Sequence, residues 1–345
     1  MISEDSPQDI ETLQVERLER GKKSFAYYRI GETPLLPIRL PVGIISGNSS
    51  GPTVCVAAGE HPCEYPGIDA AIRVFKEITP EILRGTLIVV PVANVVGFDR
   101  YTPYVCPLDG VNMAFQYPGD KHGTFAKVNA YYLEKLVNQA NYFVDLHGGE
   151  AVELLVPYAI YFKTGNDKVD VQSKAMANIF DIEYVEERSA KGYSGGQVAI
   201  SLESGALFIE IPKRGIPAMV AELGAGMGGY EENDIAAHTK GVMNVLKYLK
   251  MIDGNPVMQY PKKKVFDDIE ELRVSRGGLY YPIVKLKDSI RKGQPLAHVK
   301  DLKGDIIETV TSSTDGFVQL MAPRHVVNTG DSVFLIGKNL RDWTN

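Results

Sequence analysis

The sequence predicts an α/β protein with a largely parallel sheet, followed by a small all-β domain. Two observations carry this. Apolar strand-like segments alternate with helix-period segments over about 250 residues, the pattern of parallel strands joined by helical crossovers. After Asp253-Gly254-Asn255-Pro256 and the basic run 262–264, the signal changes to short strands punctuated by glycines from Gly277 to Gly337. Residues 1–254 are therefore expected to form the α/β domain, with 1–22 as a peripheral lead-in. Residues 265–340 are expected to form a small β-barrel or hammerhead-like domain, with the lysine run as a solvated linker.

The elements follow in order. Residues 24–30 and 38–45 read as strands. Residues 53–58 are a short apolar run between Gly51-Pro52 and Gly59, as in a strand buried on both faces. From Glu64 the spacing turns helical, with Ile68, Ile72 and Phe75 ending near Pro80. Residues 87–92 are a second buried strand. The Pro-, Gly- and Tyr-rich stretch 94–123 is a long loop, a length that usually serves function. Residues 127–140 read as helix, and 142–146 as a strand running straight into His147-Gly148-Gly149. A strand at 158–162, helices at 169–180 and 206–214, and a strand at 219–223 follow. The last helix, 234–249, carries Ile235, Val242, Val245, Leu246 and Leu249 on one stripe.

Composition narrows the function. Of 345 residues, 44% are hydrophobic and 23% charged, ordinary for a soluble globular protein rather than a disordered one. Lys and Arg number 37 against 43 Asp and Glu, a net charge of −6 that argues against nucleic acid as a partner. The longest apolar runs, 85–93 and 152–162, fall far short of the roughly 20 residues of a membrane span. The acidic N-terminus lacks a basic-then-apolar signal pattern, so the expected location is the cytoplasm. Cys55, Cys63 and Cys106 show no repeated spacing and imply no disulfide framework.

Three places carry chemistry. Gly59-Glu60-His61-Pro62-Cys63-Glu64 falls where a strand gives way to a helix, the end of an α/β sheet where ligands bind. Asp145-Leu146-His147-Gly148-Gly149 ends another buried strand. Together His61, Glu64 and His147 supply two imidazoles and a carboxylate, the ligand set of a catalytic zinc with one position left for water. Asp145 is a candidate to support a ligand or to anchor the sheet. Glu222 ends the apolar strand before Leu223-Gly224; burying it unpaired costs several kcal/mol. It reads either as a salt-bridged carboxylate or as a general base acting on a zinc-bound water.

These motifs, with Asp109-Gly110-Val111-Asn112, Tyr117-Pro118-Gly119, Glu150 and Arg214-Gly215-Ile216-Pro217-Ala218, resemble the succinylglutamate desuccinylase/aspartoacylase family. The stretch from Gly277 to Asp331 resembles the small β-domain of many members. The resemblance covers the chain from about residue 40, as an ordered series of local motifs. It implies a zinc carboxypeptidase-like fold: a mixed, largely parallel sheet flanked by helices, with a small C-terminal all-β domain. It also implies one Zn2+ per chain on His61, Glu64 and His147, Glu222 as the catalytic carboxylate, and compatibility with a homodimer. The activity it implies is a zinc-dependent amide hydrolase, a deacylase that cleaves a small N-acylated amino acid or related compound with metal-activated water. The rivals are a zinc peptidase or esterase on the same site and a catalytically silent binding protein.

The departures bear on substrate. Where the family continues with Leu-Asn-Arg-x-Phe-Pro-Gly, this chain has Met113, Ala114, Phe115, Gln116, Tyr117, Pro118 and Gly119. Ala114 and Phe115 thus stand in place of the pair that grips a substrate carboxylate, and a two-pronged guanidinium becomes an apolar ring. The free α-carboxylate is therefore not expected to be selected. Arg100 is the nearest candidate for the arginine that polarises the scissile carbonyl, against a plain surface role. Cys63 is expected to be a small packing residue beside the ligands. His122, His238, His298 and His325 are expected to be exposed or capping, and Tyr101, Tyr104 and Tyr117 to pack the long loop. The turn around Asp301-Leu302-Lys303 lacks an attachment sequence for a modified lysine.

Overall fold

The computed structural model describes residues 10, 13–149, 153–189, 205–224 and 231–343. Glu150 and most of the lead-in before residue 13 therefore lie outside the described residues. In chain order, the strands of the first part are β1 (Lys22–Glu32), β2 (Pro37–Ser46), β3 (Ser49–Ala58), β4 (Arg84–Val90), β5 (Val105–Cys106), β6 (Val111–Asn112), β7 (Tyr142–His147), β8 (Leu154–Leu155), β9 (Tyr158–Lys163), β10 (Tyr184–Ser189), β11 (Ala218–Glu222) and β12 (Lys264–Phe266). The helices are α1 (Tyr65–Glu77), α2 (Val95–Asp99), α3 (Phe125–Val137), α4 (Asp167–Ile179), α5 (Leu207–Lys213) and α6 (Glu232–Tyr248). The C-terminal part adds β13 (Asp268–Arg273), β14 (Gly278–Pro282), β15 (Ser289–Ile290), β16 (Pro295–Lys300), β17 (Ile306–Thr311), β18 (Gly316–Met321), β19 (Val326–Val327), β20 (Ser332–Lys338) and β21 (Arg341–Asp342).

A ten-stranded mixed sheet runs in the order β1-β2-β4-β3-β7-β11-β9-β10-β12-β21. Its centre, from β4 through β3 and β7 to β11, is parallel, and β9 and β10 are parallel to each other but antiparallel to β11. Helices cover both faces. Val54, Val56, Val144 and Ala221 face Val74 of α1, Met176 of α4 and Val242 of α6 in one buried cluster. Cys55, Ala57 and Phe143 point the other way, against Ala130 and Leu133 of α3. The alternation of neighbouring residues between two cores explains the unbroken apolar runs: the central strands have no solvent face.

Helix α1 buries Ile68, Ala71 and Val74, whereas Ile72, expected on the stripe, is 37% exposed. The long loop is pinned rather than loose. Asn94 caps α2 by accepting from Gly97 N at 3.1 Å, β5 and β6 form a hairpin, and Asp109 Oδ2 accepts from Ala126 N at 2.8 Å, supplying the first turn of α3 with an acceptor from afar.

The C-terminal part forms a four-stranded sheet and four strands of a five-stranded one, whose fifth strand is β8. Three short strands stitch it to the first part. β12 and β21 join the end of the large sheet, and β8, seven residues past His147, pairs with β18. Between the parts, Tyr158, Ile160, Tyr184 and Val220 pack against Phe317 and Leu320. Lys263 departs from the expected solvated linker. It is 1% exposed and donates to Ile182 O at 2.8 Å; burial lowers its pKa to about 8 against the pull of Asp181. Among the described residues no helix is long and apolar enough to cross a membrane.

Candidate metal centre

β3, β7 and β11 lie side by side and parallel, so their C-terminal ends open on one crevice. After β3 the backbone turns at Gly59, whose φ of 65° suits glycine. His61, Cys63 and Glu64 follow before Pro66 enters the first turn of α1. Glu64 occupies the N-cap position of α1 without capping it. Its carboxylate is engaged elsewhere: Oε1 lies 2.9 Å from His61 Nδ1 and Oε2 3.1 Å from His147 Nδ1. The two imidazole centroids are 5.1 Å apart with planes at 80°. His61, Glu64 and His147 each bring a ligand atom into a group spanning no more than 4.8 Å.

The donor set fits a divalent cation. Glu64 Oε2 is buried and has no hydrogen-bond partner of good geometry despite its closeness to His147 Nδ1; the two atoms converge as ligands of one ion do. Burial alone would raise the Glu64 pKa, but the imidazoles of His147 and His61 outweigh it and hold it at about 2. Burial likewise disfavours the imidazolium of His147, yet Asp145 and Glu64 drive its pKa well above the usual histidine range. Buried carboxylates crowd this pocket, and they call for positive charge.

Behind the ring, His147 Nε2 lies 3.4 Å from Asp145 Oδ2 and 3.5 Å from Glu60 Oε2. Asp145 thus sits where it can orient the His147 ring. Glu60, given no role of its own in the sequence, is buried here and accepts a hydrogen bond from the buried Tyr117 hydroxyl. Burial, then Asp145, raises the Glu60 pKa. Tyr117 is therefore more than loop packing.

Glu222, half-buried, is the last residue of β11 and stands in register beside His147 of β7 and Tyr158 of β9. Paired neighbours share a sheet face, which places its carboxylate on the side of the His147 ring. The Tyr158 phenol has its pKa raised by burial and next by the Glu222 carboxylate, a sign of their closeness. Arg100 is exposed just past α2, and among the described residues its guanidinium makes no ion pair. Ala114 is buried and Phe115 half-buried in a short 3-10 turn, Met113–Phe115, so no guanidinium occupies that turn.

Cys63, between His61 and Glu64 in the chain, is buried, and none of the three cysteines is in a disulfide. His122 and His325 are exposed, and His298 is half-buried against Thr309 Oγ1. His238 corrects the expectation of exposure. It is fully buried on α6, and its Nε2 donates to Leu223 O at 3.1 Å, which fixes the proton on that nitrogen. Burial lowers its pKa to about 4.

Residues 50–249 match the family model of the succinylglutamate desuccinylase/aspartoacylase catalytic domain. The N-alpha-acetyl-L-2,4-diaminobutyric acid deacetylase of Halomonas elongata is 26% identical over 312 residues, covering 87% of this chain and 86% of that protein. A product-bound structure of an ectoine utilization protein from Ruegeria pomeroyi superposes with a TM-score of 0.80 at 22% identity, covering 94% of this chain and 97% of its own. A succinylglutamate desuccinylase/aspartoacylase structure from Rhodobacter sphaeroides gives 0.81 at 21%, covering 95% and 97%. At these identities the two structures establish the fold.

Proposed function

The chain belongs to the succinylglutamate desuccinylase/aspartoacylase family, and on that premise we propose that it is a zinc-dependent deacylase that hydrolyses the amide bond of a small N-acylated amino acid or related compound. What carries the reading is the convergence of two imidazoles and a carboxylate within 4.8 Å at two strand ends, with Glu222 in register beside one of them. His61, Glu64 and His147 would hold one Zn2+ per chain. When bound, zinc supplies Lewis acidity that polarises the scissile carbonyl and brings water ionisation toward neutral pH.

The chain's own residues do the rest. Glu222 accepts a proton from the attacking water and returns it to the leaving amine. Asp145 keeps the His147 ring turned so that Nδ1 faces Glu64. Arg100 keeps its place as the carbonyl-polarising arginine on the resemblance alone; an unchanged kcat in Arg100→Ala removes it from that role. The deacetylase of Halomonas elongata supports N-acetylated amino acids as the first substrates to try. Ala114 and Phe115 point further, to substrates whose α-carboxylate is masked.

Metal analysis of the purified protein beside His61→Ala tests the centre: about one zinc per chain, lost in the variant, is expected. Hydrolysis of N-acetyl and N-succinyl amino acids is then compared with that of their amides. Retained turnover in His147→Ala overturns the mechanism, and a strong preference for the free acids overturns the substrate reading.

A further inference from the structure

Glu60 precedes a metal-ligand candidate, yet nothing in the amide hydrolysis described above uses it. Its side chain is 6% exposed and touches two things at once. One oxygen accepts from the Tyr117 hydroxyl, and the other faces His147 Nε2 at 3.5 Å. Packing explains this poorly, because a buried carboxylate beside a second carboxylate, Asp145, is costly. Accepting from a tyrosine needs no charge, whereas facing the N–H of a metal-ligating imidazole rewards one.

Tyr117 belongs to the segment that diverges from the family. It stands two residues beyond Phe115, and its N–H donates to Gly205 O at 3.0 Å. Asp109 ties the start of the same segment to α3, and Asn112 Oδ1 accepts from Ala114 N at 2.9 Å. The 109–117 segment is thus a braced unit, and Glu60 gives it a buried polar link to the back of His147.

We propose that Glu60 is a positioning residue that couples the seating of the 109–117 segment, through Tyr117, to the orientation and metal affinity of His147. The proposal rests on the reading of His61, Glu64 and His147 as the zinc ligands. It implies that the segment flanking the substrate position and the metal respond to each other, so that changes at Tyr117 are felt at the zinc.

The test is zinc affinity by competition with a chromogenic chelator, in the full chain, for the wild type, Glu60→Gln, Tyr117→Phe and the double variant. Glu60→Gln keeps the shape and the acceptor for Tyr117 but removes the charge behind the ring. Its zinc dissociation constant is expected to rise about 10- to 100-fold. Tyr117→Phe is expected to show a smaller rise, and the double variant to be no weaker than Glu60→Gln, because Tyr117 acts through Glu60. A lower melting temperature of the metal-free variants with unchanged zinc constants makes Glu60 merely structural and overturns the proposal. Fully additive losses overturn the coupling. Two zinc ions in the wild type, one of them lost in Glu60→Gln, make Glu60 a ligand and overturn it too. Should Glu60→Gln fail to fold, an unchanged constant in Tyr117→Phe is decisive against it. No zinc uptake by the wild type brings down the metal centre as well, whereas equal uptake by wild type and variants removes the coupling alone.

Discussion

Replacing Glu222 by Gln keeps the volume of the side chain and removes its ability to take a proton. Since Glu222 stands in register with His147 but belongs to a different strand, the exchange is expected to lower kcat by about 10²- to 10⁴-fold and to leave zinc content unchanged. Steady-state kinetics beside metal analysis checks both halves. His238 makes a different kind of prediction. Its folded pKa of about 4 lies below the ordinary value of 6.5, so below pH 6.5 the unfolded chain binds a proton that the folded chain refuses. Stability contributed by neutral, buried His238 is therefore present above pH 6.5 and is lost as pH falls from 6.5 toward 4. In His238→Asn this component disappears. Urea midpoints across pH should show the gap between wild type and variant narrowing toward pH 4; a constant gap would contradict the assignment. The ring's donation to Leu223 O also means that the variant loosens the residue next to Glu222.

At the scale of elements, the strand ends depend on close approach. A Cβ on Gly148 would lie 2.3 Å from Leu223 O, between the ends of β7 and β11. Gly148→Ala is expected to push those ends apart, costing about 1–3 kcal/mol of stability and more activity than stability. Urea unfolding and kcat measured on one preparation compare the two losses. How much could be read from the chain follows the same physics. The grouping of His61, Glu64 and His147 was legible because polar side chains at the ends of apolar strands are a local pattern. Lys263 and His238 were not, since burial of a polar side chain depends on partners such as Ile182 and Leu223, set by the fold. Strand β10 was missed because Glu186 and Arg188 interrupt its apolar signal; in the fold they pair with each other at 2.6 Å, and Phe208 lies 5.0 Å from the guanidinium. Tyr117 and Glu60 are 57 positions apart, so no spacing rule could have joined them. The two-residue strand β8 carries too short a pattern to register at all.

For the whole molecule, the contact between the two parts is a core of its own. Tyr184 and Phe317 stack with ring centroids 5.2 Å apart, beside Tyr158, which pairs with Glu222. Phe317→Ala is expected to cost about 3–5 kcal/mol, and to appear in urea unfolding as a destabilisation of the large sheet as well as of the C-terminal strands. Separate transitions, only one of them shifted, would mean that the two parts fold independently. The entry and exit of the C-terminal part have a further consequence. β12 and β21 pair antiparallel, with Val265 opposite Arg341, so the chain leaves the large sheet and returns to it at neighbouring positions. Seen as a cassette, everything between those two strands is spliced in at a single seam. A graft from a relative would need no new linker geometry, but it would have to bring its own equivalents of Phe317 and Leu320 and a strand to receive β8. The seam makes the cassette portable, while its hydrophobic underside makes it particular about its host.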